Sequence, residues 1–189
     1  MRLILALPAL LPVAAGAAEA EAEAPVRALP GAQACPVALP ESREGWSPPN
    51  GAWTEAERWA WQGLCRGEFI DMRRAPPEEA RPSEAPCRSD DPDAAPPPNR
   101  LLSPAFLRLV LTHPRWSGAL AKPQVRIRCA VVEGDLDLEN EDVAPEFVLF
   151  DSVLRGRLTL RGARFARSVF LNGSRVGGPM SADGMEMGG

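Results

Sequence analysis

Few residues in this chain could do chemistry, and their spacing limits what that chemistry is. There is one histidine, His113, and no tyrosine among 189 residues. A Ser-His-Asp triad would have to use His113, and paired-histidine metalloproteases are excluded. The four cysteines are Cys35, Cys65, Cys87 and Cys129. No C-x-x-C occurs, so neither a thioredoxin-type redox pair nor a zinc knuckle is supported. The run Asp135-Leu136-Asp137-Leu138-Glu139-Asn140-Glu141-Asp142 is dense in carboxylates. Its order is not that of an EF-hand loop, so a structural ladder is the expected role. No G-x-G-x-x-G follows a strand, and there is no haem-attachment motif. No residue is assigned a catalytic or metal-binding role, and no cofactor is expected.

The positions of these residues depend on where the chain goes. Arg2 precedes an apolar run from Leu3 to Ala15, and Ala14-Ala15-Gly16-Ala17-Ala18 follows. That is the charged region, short apolar region and small-residue site of a signal peptide, with cleavage expected after Ala17. The run is too short to span a bilayer, which takes roughly 20 apolar residues. The mature protein is therefore expected in the periplasm or outside the cell. Association with a membrane surface stays open, spanning does not. With 25 acidic and 21 basic residues and a net charge of -4, nucleic acid is not an expected partner. An even cysteine count in an oxidising compartment points to two disulfides, with three pairings open. Cys65 with Cys87 is the preferred pair, because it would tie a proline-rich loop to a helix.

Four segments follow from composition. Residues 1–17 are the signal peptide, and 18–50 are expected to be extended or disordered. Residues 51–123 form a helical cap containing a proline-rich loop at 74–100, which holds eight prolines. Residues 124–189 form the repeat described below. In the cap, Thr54-Glu55-Ala56-Glu57 reads as a capping box that opens a helix ended by Gly67. Trp53, Trp59, Trp61, Leu64 and Phe69 supply its apolar surface, and packing is preferred over a carbohydrate platform. A second helix starts at Ser103 with Pro104 in its first position, and His113-Pro114 ends it. His113 then sits at a helix C-terminus, where the dipole favours a cationic imidazole.

From Gln124 the sequence repeats every 11 residues for six units. One apolar column is Val125, Leu136, Phe147, Leu158, Val169 and Met180. A second is Ile127, Leu138, Leu149, Leu160, Leu171 and Ala182. A third is Val132, Val143, Leu154, Phe165, Val176 and Met187. Cys129, Asn140, Asp151, Gly162, Gly173 and Gly184 occupy a corner column. The apolar-x-apolar alternation has strand period, so each unit reads as strand, corner, strand. The expected fold is mainly β, a right-handed β-helix or solenoid with about 22 residues per coil. The charges choose that coil length. A return every 22 residues sets Asp135 over Arg157 and Glu139 over Arg161, whereas 11 would set Asp135 beside Glu146.

On another face Arg126, Val148 and Phe170 stack outward, flanked by Arg128 and Phe150. These five residues are expected to form an apolar docking patch edged by arginine, unless the N-terminal unit folds over it. No cap follows Gly189, so the last coil is expected to be open unless the chain is a fragment or pairs end to end with a second copy.

The triplets Ser152-Val153-Leu154, Ala163-Arg164-Phe165 and Ser174-Arg175-Val176 resemble the small-x-apolar core of pentapeptide-repeat proteins. A closer likeness is to a bacterial pentapeptide-like group often labelled membrane-associated oxidoreductase. That group shares a preface similar to Trp53-Thr54, Glu57, Trp59-Ala60-Trp61, Cys65 and Gly67. It also shares stretches like Leu102-Ser103-Pro104-Ala105-Phe106 and Leu111-Thr112-His113. The likeness covers about residues 51–189. It implies a right-handed quadrilateral β-helix, and its label implies an oxidoreductase. The residues themselves point to a non-catalytic, exported β-solenoid scaffold or docking module, with an unidentified envelope protein as partner.

Overall fold

The computed structural model describes residues 35–40, 52–76, 86–87 and 95–188. The expected signal peptide, most of segment 18–50 and most of the proline-rich loop lie outside these residues. The described chain is mainly β, with its strands in parallel sheets and few helices.

Helix α1 (Glu55–Cys65) begins where the sequence places it. Thr54 Oγ accepts from the Glu57 N–H at 3.1 Å, and Glu57 Oε2 accepts from the Thr54 N–H at 2.8 Å. At its other end Gly67, at φ 75°, closes a Schellman motif. Gly67 N–H donates to Leu64 and Glu68 N–H to Gly63. Helix α2 (Pro104–Thr112) starts at Ser103, whose hydroxyl accepts from Phe106 N–H. Glu57 joins the two starts. Its second oxygen, Oε1, accepts from Ser103 N–H at 2.8 Å and Ser103 Oγ–H at 2.6 Å. One buried carboxylate thus satisfies donors at the head of both helices, where negative charge is favoured.

The tryptophans pack. Trp53, Trp61 and Trp116 are buried, and their indole N–H groups donate to the carbonyls of Pro40, Val37 and Ala38. Three donors and a disulfide, Cys35–Cys65, hold the described stretch 35–40 against the helices. The second disulfide is Cys87–Cys129. The preferred Cys65–Cys87 pair therefore does not form. Tying the proline-rich loop to a helix favoured it, but Cys65 bonds Cys35 in the stretch the tryptophans hold, and Cys87 meets the first corner of the repeat. His113 caps the C-terminus of α2, as the sequence places it. A four-residue helix, α3 (Pro114–Ser117), begins directly after it, and His113 Nδ1 accepts the Arg115 N–H at 3.2 Å.

The repeat forms four sheets, here A to D in the order the chain visits them. The first pass supplies β3 (Gln124–Arg128), β4 (Val131–Val132), β5 (Leu136–Asp137) and β6 (Asp142–Val143). The second supplies β7 (Glu146–Phe150), β8 (Val153–Leu154), β9 (Leu158–Thr159) and β10 (Arg164–Phe165). The third supplies β11 (Val169–Phe170), β12 (Arg175–Val176), β13 (Met180–Ser181) and β14 (Glu186–Met187). Every pairing within the repeat is parallel and joins residue i to i+22, as Val125 to Phe147 and Leu136 to Leu158. Each 11-residue unit contributes two strands, so two units complete one pass. Two strands of the N-terminal part extend these sheets. β1 (Ile70–Asp71) joins β3 at the edge of sheet A, and β2 (Leu101–Leu102) joins β4 at the edge of sheet B. Helix α2 packs on β5 and β6, at the same end of sheets C and D.

The apolar columns point inward. Val125, Ile127, Val132, Leu136, Leu138 and Val143 are buried, as are their second-pass counterparts from Phe147 to Phe165. Each such side chain contributes roughly 1.5–3 kcal/mol on leaving water. All six corner residues have positive φ, including Cys129 at 59°, Asn140 at 58° and Asp151 at 46°. A left-handed corner costs a non-glycine residue about 1–2 kcal/mol, less for Asn and Asp. Buried Ser152 helps settle one corner, because its hydroxyl accepts Ala130 N–H and donates to the Phe150 carbonyl.

Gly162 and Gly184 test the stacking. Both have φ near 65°, but a Cβ on Gly162 would lie 2.3 Å from Asn140 Oδ1, whereas one on Gly184 meets nothing within 4 Å. Gly184→Ala is expected to cost only the backbone term, about 1 kcal/mol. Gly162→Ala should cost more, because the Asn140 side chain must turn away from the new methyl group. Urea unfolding of both variants makes the comparison.

Candidate functional site

The outer surface of sheet A is where the unassigned residues gather. Two rows run across its strands. In the first, Phe69 leads to Arg126, Val148 and Phe170; in the second, Asp71 leads to Arg128 and Phe150. Alternation along β3 and β7 puts these side chains outside while Ile127, Phe147 and Leu149 point inward.

Phe69 is the residue that the sequence reading assigned elsewhere, to the helix surface. It lies just before β1, and Phe69-Ile70-Asp71 carries the same out-in-out pattern as Arg126-Ile127-Arg128. That match was the available signal, but a strand this short has little periodicity to detect. The ring of Phe69 meets Phe150 edge to face, with centroids 5.7 Å apart. The Arg126 guanidinium sits 5.9 Å from the Phe69 ring centroid, within cation–π range. Arg126 Nε is buried with no hydrogen-bond partner among the described residues.

The five expected patch residues are together on this face, but they are not equally open. Phe170 is 44 % exposed, Phe150 is half-buried, and Val148 is only 2 % exposed. The exposed valine of the sequence reading is thus corrected. Val148 is short and lies on a central strand between the longer Arg126 and Phe170 of its own row. Arg128 is half-buried and ion-paired to corner residue Asp151 at 3.0 Å. Phe69, 47 % exposed, restores apolar surface at the far end of the row.

Asp71 anchors the rim. Its carboxylate receives the Arg73 guanidinium at two oxygens and the Arg73 backbone N–H as well. The hydrogen bond from the Arg73 side chain is the main reason its pKa is held below the ordinary carboxylate value; burial opposes it, and Arg128 adds a weaker attraction.

The acidic run lies on the neighbouring faces, and two of its carboxylates, with Glu133 just before it, meet arginine side chains one pass on. Glu133 pairs with Arg155 at 3.3 Å, Glu139 with Arg161 at 2.6 Å and Asp142 with Arg164 at 2.6 Å. All three pairs are 22 residues apart. Asp135 instead accepts the Arg157 backbone N–H at 2.7 Å. Glu141 takes Arg108 from helix α2. These pairs are exposed and screened by solvent, so each adds little stability and their larger effect is on register. The Arg164 hydrogen bond also holds the Asp142 pKa down. Among the described residues, no group of three or more His, Cys, Asp or Glu is placed to hold a metal ion. No helix among them is long and apolar enough to cross a membrane.

The chain matches no family model, no curated protein and no solved structure. The site is therefore read from its own geometry. The two disulfides fit an oxidising environment such as the periplasm or the extracellular space.

The lowered Asp71 pKa has a signed consequence. A depressed folded-state pKa adds stability above the ordinary carboxylate range, which is lost as pH falls through the folded value. Asp71→Asn should therefore be less stable than wild type at neutral pH, and the gap should narrow in acid. Urea midpoints measured from neutral pH downward test this.

Proposed function

We propose that this chain is a non-catalytic, exported β-solenoid scaffold of the cell envelope that docks a protein on the outer face of sheet A. The parallel sheets, visited in fixed order with a 22-residue return, support a right-handed coil, since parallel crossovers are right-handed in about 98 % of cases. The likeness to pentapeptide-repeat proteins supports the same reading. One observation carries the docking role. Phe69 and Phe170 stand exposed at the two ends of one row, with Arg126 between them.

The partner that suits this row is a protein segment with apolar side chains and a carboxylate. The rings supply the apolar contact. The Arg126 guanidinium, half-buried beside the Phe69 ring, supplies the positive charge that a carboxylate would meet. Aromatic and arginine anchors are the residue types that dominate protein interfaces.

Capture from envelope extracts is the test, with the wild-type chain and the double variant Phe69→Ala, Phe170→Ala as paired baits. The wild type should retain a partner that the folded double variant loses, and added salt should weaken retention. Equal capture by both would refute the face. A native mass spectrum of the purified protein guards the non-catalytic reading. A stoichiometric flavin, haem or metal would favour the oxidoreductase label instead.

A further inference from the structure

Three tryptophans of the cap share one occupant. Trp53 lies just before α1, Trp61 on α1 and Trp116 on α3. Their indole N–H groups donate to the carbonyls of Pro40 at 2.9 Å, Val37 at 2.7 Å and Ala38 at 3.1 Å. All three acceptors lie in the stretch 35–40, Cys-Pro-Val-Ala-Leu-Pro. This stretch carries no helix or strand, and no backbone–backbone hydrogen bond joins it to another described residue. Its side chains alternate. Val37 and Leu39 pack on the core, whereas Pro36 and Ala38 are exposed. The disulfide Cys35–Cys65 fastens one end. These contacts define a recognition chemistry. Each indole bond ends on a main-chain carbonyl, a group that every residue offers. The side chains are selected only for apolar groups two residues apart. Prolines at 36 and 40 favour an extended backbone without internal hydrogen bonds. Aromatic-lined grooves read proline-containing peptides in this way. A buried indole N–H needs an acceptor, so an occupant of this kind completes the groove.

We infer that this groove is a peptide-recognition site whose resident ligand is the chain's own residues 35–40. Its second ligand is an extended segment of a partner protein, with apolar side chains two residues apart and proline on both sides. The bridge Cys35–Cys65 is the latch. It holds the resident segment at the groove, so an incoming segment competes with a tethered one. Exchange with a dithiol opens the latch. The S–S bond breaks, Cys35 and Cys65 become thiols, and the dithiol is oxidised to its own disulfide. The resident segment can then leave, and the incoming one takes over the three indole donors and the two apolar contacts. This site shares no residue with the docking row on sheet A, so the two readings stand or fall separately.

The test is fluorescence anisotropy with a labelled peptide of residues 35–40 carrying Cys35→Ser, added to the full chain. The Cys35→Ser chain should bind this peptide at least about tenfold more tightly than wild type with both bridges formed. Wild type whose Cys35–Cys65 bridge is opened by a dithiol, as mapped by alkylation, should bind it equally well. A peptide that also carries Val37→Ser and Leu39→Ser should lose at least about tenfold in affinity, because its apolar contacts are gone. Adding Trp61→Phe to the Cys35→Ser chain keeps a ring and removes one donor, and should weaken uptake. Thermal unfolding of each chain is measured alongside. A folded Cys35→Ser chain that binds no better than wild type, or that binds both peptides alike, overturns the inference. If Cys35→Ser does not fold, the chain with Val37→Ser and Leu39→Ser weakens the resident segment while keeping both bridges, and it must take up the first peptide. Loss of fold or of uptake there makes residues 35–40 a fixed part of the core and overturns the inference.

Discussion

Parallel stacking at a fixed return of 22 residues is the constraint on which the other features of the repeat depend. Most strands are two residues long, too short to hold a sheet alone. They persist because each lies over its equivalent in the next pass, and the inward columns stay in phase. Burial of those columns supplies the favourable energy, and the left-handed corners turn the chain onto the next face. A slip of one residue would turn the apolar columns outward. A slip of one unit would keep them inside but bring acidic residues together. The ion pairs between the first and second passes oppose that second error, so weak surface pairs act mainly on specificity.

The N-terminal part supplies the end of the stack. It lends one short strand to each of sheets A and B and a helix to sheets C and D. Glu57 fixes the two helices to each other, and the disulfide Cys87–Cys129 ties this part to the first corner. The same arrangement brings Phe69 to sheet A, so capping and the candidate docking face are one piece of architecture. Arg126 lies at the junction, under a ring from the cap and beside the open row of the repeat.

The repeat was legible because six units hold three columns and a corner in phase. The 22-residue return was legible from charge alone, since Glu139–Arg161 is an opposite pair at that spacing. The helix starts were legible from Thr54, Glu57, Ser103 and Pro104, whose roles are local. What escaped depends on contacts distant in sequence. Cysteine partners are set by which segments meet in space, and no spacing rule brings Cys35 to Cys65. The strands β1 and β2 carry almost no periodic signal, so Phe69 was missed. Val148 looked exposed by alternation, but alternation gives a direction and not the height of the neighbours. His113 was read from one helix end, while a second helix begins on its other side.

The register itself is the claim to test most directly. Asp137 and Thr159 are partners on adjacent parallel strands of sheet C, at the 22-residue spacing. Cysteines placed there, as Asp137→Cys with Thr159→Cys, should form a disulfide under mild oxidation, found by peptide mapping with both native bridges intact. Partnered positions on neighbouring strands fall within disulfide reach, which extends to about 6.8 Å between Cα atoms. A quantitative bridge is the result this account predicts. Free thiols at both positions in the folded, oxidised protein would contradict it.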